Sequence, residues 1–158
     1  MTTTAGEIPG RRAAGYSDPV GDRRRIGVLV TGGTVGSRSE SIGGQERLVT
    51  LSETGEQLDV FAGPNVKRVL EENEIVTVLR QPLNLLSENM TPEHWVAVGE
   101  AIDDLLENES VDGILILHGT DTMSFASTAL SFMLAGIRIP VVLTGSNRNV
   151  RPSCQAIY

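Results

Sequence analysis

The stretch IGVLVTGGTVGSRSE, from Ile26 to Glu40, decides how the rest of the chain is read. Ile26 to Val30 is short, aliphatic and free of polar residues, and it stops at Thr31-Gly32-Gly33. A strand exposed on one face alternates apolar and polar residues, whereas one buried on both faces does not. This run therefore predicts a buried strand. Glycines at a strand end let the backbone approach something closely. They either aim main-chain N–H groups at an anion or clear space around the hydroxyl of Thr34.

Outward from this stretch, apolar runs and helical patterns alternate. Ser37 to about Glu56 is polar and carries Gly43 and Gly44, which predicts a loop or weak hairpin. Pro64 to Asn73 predicts a short helix, and Ile75 to Leu79 a second strand. Thr91 as N-cap, Pro92 at the first helical position and Glu93 in the first turn begin a helix through Val96, Val98, Ile102 and Leu105 to about Asn108. Gly113 to Leu117 is the third strand and Pro140 to Thr144 the fourth. A helix starting at Asp121 or Thr122 lies between them, with Phe125, Ala129, Phe132 and Met133 near one side. Strands separated by helices of this length predict an α/β domain with a mostly parallel sheet and right-handed crossovers. Ligands of such sheets bind beyond the carboxyl ends of the strands. Four polar clusters fall there: TGGT, SENM, HGTDTM and TGSNR.

A dinucleotide site needs GxGxxG followed at once by a helix, and an acidic residue at the end of the next strand. Here GSRSESIGG follows the glycines, and Arg80 and Gln81 end the next strand. The Walker pattern is absent, because no lysine follows. A threonine hydroxyl, by contrast, is a nucleophile once a base takes its proton and N–H donors receive the oxyanion. Thr34 alone reads equally as a turn or cap residue. The second cluster, His118 to Met123, adds two hydroxyls and a carboxylate at the end of the most apolar strand. Thr120 or Asp121 would cap the following helix in the plainest reading. His118 is expected to be a packing or hydrogen-bonded residue, and no cluster has metal-ligand spacing.

A net charge of −7 argues against a broad phosphate-binding face, and so against nucleic acid as a partner. No apolar run approaches the roughly 18 residues needed to span a bilayer. The single cysteine, Cys154, excludes an internal disulfide and fits a reducing, cytoplasmic setting. Residues 1–25 are small, polar and basic, with the pair Arg11-Arg12 but no apolar stretch behind it. They predict a disordered leader rather than a signal peptide.

VTGGTVGS, LHGTDTMSFASTALSFML and VVLTGSNR together resemble the amino-terminal, Rossmann-like domain of the bacterial-type L-asparaginases. That family includes glutaminase-asparaginases and the archaeal D subunit of the tRNA-dependent amidotransferase. LLSENMTPEHW is similar to the family's substrate-carboxylate loop. The resemblance implies hydrolysis of L-asparagine, with L-glutamine as the other candidate, to L-aspartate and ammonia through a threonine acyl-enzyme. It implies Thr34 as nucleophile, Thr120 and Asp121 as two members of a Thr-Lys-Asp triad, and Ser87, Glu88 and Gly119 around the substrate. No metal or cofactor is implied; a homo-oligomer is. Asp121 also suits an ammonium anchor on charge grounds.

The sequence departs from the family pattern at three places. The lid after TGGT usually carries a tyrosine, and SRSESIGGQERLVT has none. Lys67 is the only lysine and does not match the triad position, which in the family lies beyond VVLTGS. The match corresponds to the family's first half. The expected organisation is a leader over 1–25 and an asparaginase amino-terminal-type domain over 26–158, without the carboxyl-terminal domain and incomplete for catalysis by itself. Two other readings follow from these departures: a component like the amidotransferase's D subunit, and a non-catalytic module that binds an amino acid or pairs with a second half.

Overall fold

A computed structural model of the chain describes residues 23–32, 37–42, 45–50 and 64–146. Strand β1 runs from Arg24–Val30, β2 from Ser37–Ile42 and β3 from Gln45–Thr50. Helix α1 (Pro64–Glu72) leads into β4 (Ile75–Arg80). A single 3-10 turn, Ser87–Asn89, precedes α2 (Pro92–Asn108). Then come β5 (Gly113–Leu117), α3 (Met123–Met133) and β6 (Val141–Thr144). The main sheet has the order β4-β1-β5-β6, and every pairing in it is parallel. The hairpin reading of the segment after TGGT is borne out: β2 and β3 pair antiparallel, Ser37 opposite Thr50 and Ile42 opposite Gln45.

Burial follows strand position. The last four residues of β1 are all buried, as are Gly113, Ile114, Ile116 and Leu117 of β5. The edge strand β6 alternates between half-buried and exposed residues. The contrast comes from position in the sheet, since β6 (VVLT) is as apolar in sequence as the central strands. Helix α2 lays Val98, Ile102 and Leu105 on the sheet, and these join Leu29, Val111, Ile114, Ile116 and Leu130 in one core. Val96 falls outside that stripe and is exposed.

Helix α3 presents two apolar stripes. It packs on the sheet through Ala126 and Leu130, while Phe125 and Phe132 are 65% and 77% exposed. Of the Phe125–Ala129–Phe132–Met133 stripe, the two phenylalanines face outward, while Ala129 is half-buried and Met133 lies near Gly99 of α2. A second apolar stripe, with smaller side chains, permits the closer approach to the sheet. The helix cap is Thr122, rather than Thr120 or Asp121.

Helix α2 begins as the sequence predicts, at Thr91 with Pro92 inside the first turn. The Thr91 N–H donates to His94 Nδ1 at 3.0 Å, so a histidine takes the reciprocal capping place more often held by Glu or Gln. The Thr91 hydroxyl holds the Glu93 carboxyl below its ordinary range. Arg80, the residue that argued against a ribose partner on β4, is engaged within the fold. Its guanidinium contacts Asp104 at 3.2 Å and Glu109 at 2.7 Å, and Glu109 also pairs with Arg25 at 2.8 Å.

Candidate active site

The carboxyl ends of the parallel strands are joined to one another through the backbone. The Thr31 N–H and hydroxyl both donate to Leu117 O, at 3.1 and 3.2 Å, which ties β1 to β5. The His118 N–H donates to Thr144 O at 2.9 Å, which ties β5 to β6. The loop after β4 is drawn in by the Leu85 N–H, which donates to Thr31 O at 3.3 Å. Gly32 permits that approach. Its φ is +103°, and a Cβ there would lie 2.6 Å from Leu85 N. The glycine after β1 thus has a packing reason beyond any space it leaves for a hydroxyl.

Ser87 is the buried member of the loop, 3% exposed. Its Cβ and Oγ fill the place where a side chain on Gly119 would stand. The Ser87 hydroxyl donates to Asp121 Oδ2 at 3.1 Å. The Ser87 carbonyl accepts from the Met90 N–H at 3.1 Å and from the Thr122 hydroxyl at 2.8 Å. Beneath the loop, His118 is 1% exposed. Its Nδ1 stands 2.7 Å from Gly119 O and its Nε2 3.0 Å from Met90 Sδ. A nitrogen that close to a carbonyl oxygen carries the proton, so Nδ1 is the donor. Both ring nitrogens are occupied internally, and His118 is the hydrogen-bonded residue the sequence predicts.

Two of the sequence-predicted residues, Ser87 and Asp121, are therefore in direct contact, and Gly119 lies directly under Ser87. Thr120, Asp121 and Glu88 lie nearer the surface, with Thr120, Asp121 and Glu88 all exposed. Thr34 lies outside the described residues. Among the described residues no group of three His, Cys, Asp or Glu side chains is placed to hold a metal ion. The arrangement offers an exposed carboxylate, Asp121, whose place is fixed by a buried hydroxyl, and a carboxylate so held suits a ligand carrying an ammonium. Thr122 reads in the sequence as a helix start and one hydroxyl of the second cluster, and Thr31 as part of the first, with no partner assigned to either. A threonine ahead of a helix or after a strand reads as a cap or turn residue, and only the neighbouring loop reveals where its hydroxyl goes.

The family model described as Asparaginase, N-terminal, matches residues 25–153. This chain belongs to the asparaginase family. The D subunit of glutamyl-tRNA(Gln) amidotransferase from Methanopyrus kandleri is 41% identical over 132 residues, covering 83% of this asparaginase-family chain and 27% of that protein. The corresponding protein of Thermoplasma acidophilum is 34% identical over 148 residues, covering 93% and 33%. Among solved structures, the thermostable L-asparaginase from Thermococcus kodakarensis is similar with a TM-score of 0.64 at 37% identity, over 79% of this chain and 34% of that one. L-asparaginase I from Vibrio cholerae O1 biovar eltor gives 0.58 at 30% identity, over 81% and 35%. The asparaginase-family chain thus spans about a quarter to a third of the length of the relatives it matches. Its parallel sheet with flanking helices is the α/β fold of these structures. No described helix is long and apolar enough to cross a membrane.

Proposed function

We propose that this chain carries the amino-acid-binding side of an asparaginase-type amidohydrolase site. The observation that carries the reading is the hydrogen bond from Ser87 Oγ to Asp121 Oδ2, at 3.1 Å, beyond the carboxyl ends of a parallel sheet. In this reading Asp121 and Glu88 take the substrate's α-ammonium, and Ser87 with the Gly119 main chain orders its α-carboxylate end. Thr34 supplies the nucleophile. Its oxygen attacks the side-chain amide carbon of L-asparagine, its proton passes to a base, and ammonia leaves with a proton. Water then cleaves the resulting ester, releasing L-aspartate and restoring the hydroxyl.

Thr120 is the second hydroxyl of the relay, and its own proton needs an acceptor. Lys67, the only lysine of the sequence, is exposed on α1 and is not that acceptor. In this reading the described residues supply binding groups and part of the proton path, and turnover by these groups alone is slow. Ammonia release from L-asparagine by the full chain tests this. The chain alone should release ammonia slowly or not at all. Rapid release that survives Thr34→Ala would contradict the roles assigned here.

The similarity to amidotransferase subunits favours a second reading, in which the same site frees an amide nitrogen within an assembly that acts on glutamyl-tRNA. Ammonia release that depends on added glutamyl-tRNA(Gln) and a second amidotransferase component would select it over the free-standing hydrolase.

A further inference from the structure

We propose that Thr122 is a positioning residue that sets the place of Ser87, and through it the donor at Asp121. The inference rests on the amino-acid-binding reading above. Ser87 sits in a stretch, residues 81–91, with no regular structure beyond its one 3-10 turn. Something other than a ladder must hold it. Three successive contacts do so, all from the junction of β5 and α3. Gly119 receives the Ser87 side chain, Asp121 accepts from its hydroxyl, and Thr122 donates to its carbonyl at 2.8 Å. The hydroxyl bond from Thr122 is the shortest of these hydrogen bonds to Ser87.

The second observation concerns what Thr122 does not do. It occupies the N-cap of α3, where a threonine oxygen ordinarily accepts from an N–H of the first turn. No side-chain cap bond forms there. The helix still begins at this residue, since the Ala126 N–H donates to Thr122 O at 2.9 Å. The hydroxyl is turned away from its own helix and spent on a loop 35 residues earlier in the chain. Upstream, the same loop is held at Leu85 by Thr31; downstream, Met90 rests on His118. Thr122 holds the middle, at the buried Ser87 that contacts Asp121. Losing its donor leaves the Ser87 carbonyl with the Met90 N–H, and lets the turn drift from Asp121.

Site-resolved amide hydrogen exchange on the full chain tests this without any ligand. The probe is the Met90 N–H, whose bond to Ser87 O closes the turn. In Thr122→Val, which keeps the volume and removes the donor, Met90 should exchange about fivefold faster or more, the change expected for one lost hydrogen bond. Amides of the core strands, such as Ile116, should keep their rates. Thr122→Ser, which keeps the hydroxyl, should restore Met90 to within about twofold of the parent. A Met90 rate unchanged in Thr122→Val, or one that rises together with Ile116, overturns the proposal, since the first shows no hold on the turn and the second only general loosening. L-aspartate added to the parent chain separates the two readings. If it leaves the Ser87 and Asp121 amide signals unmoved, the amino-acid site fails, while the exchange rates still decide the role of Thr122.

Discussion

Gly119 has no room for a methyl group, because Ser87 occupies it. Gly119→Ala forces the 3-10 turn outward and should cost about 1–3 kcal/mol, the usual penalty of overpacking. Urea unfolding measures it, and adding Ser87→Gly, which vacates the space, should recover part of the loss through coupling of the two sites. Strictly additive effects would show that the two residues do not compete for one volume. Asp104 offers a pH test at the same scale. The Asn108 amide first, and then Arg80, hold its carboxyl below the ordinary range. A depressed carboxyl stabilises the fold above its unfolded pKa, about 3.9, and that share is lost as the pH falls through the folded value. Asp104→Asn should therefore lower stability at pH 7 and flatten its further loss below about pH 5. Urea midpoints across that range check it. At this scale the sequence is readable where chemistry is scarce: a carboxylate and a hydroxyl at strand ends point to a site. It is not readable for Thr122, because a hydroxyl's partner is set by a loop that propensity does not place.

Elements are legible in proportion to how one-sided their patterns are. The apolar runs of β1 and β5 predict strands, and both are buried at the centre of the sheet, whereas the equally apolar run of β6 lies at its edge. Helix α2 has one aliphatic stripe and one reading, with Val96 as the residue out of phase. Helix α3 has two apolar stripes, and periodicity identifies a helix without saying which stripe meets the sheet. Bulk favours the larger residues inside, yet Ala126 and Leu130 are the buried pair. The difference is measurable. Leu130→Ala should cost about 2–4 kcal/mol as a core truncation, whereas Phe132→Ala should stay within about 0.5 kcal/mol. Comparable losses from both in thermal or urea unfolding would place Phe132 against something in solution and contradict the orientation described here.

The main sheet is four-stranded and parallel; its central strands end at the candidate site, and its edge strand β6 leaves Val142 half exposed. Gly32 and Thr31 receive the β4 loop, β5 delivers Gly119 and Asp121, and the loop brings Ser87 between them. This convergence places the Ser87 hydroxyl against the Asp121 carboxylate. A ligand with an ammonium next to a carboxylate should use both, and one lacking the ammonium should lose the charge-assisted contact to Asp121, worth about 1.5–3 kcal/mol. Calorimetric titration of the full chain with L-aspartate and with succinate, which differs in lacking the amino group, tests this most directly. L-aspartate should bind at least about tenfold more tightly than succinate, with the preference abolished in Asp121→Asn. Equal affinity for the two ligands, or a preference that survives the substitution, would contradict the assignment of Asp121 and with it the amino-acid-binding reading of the site.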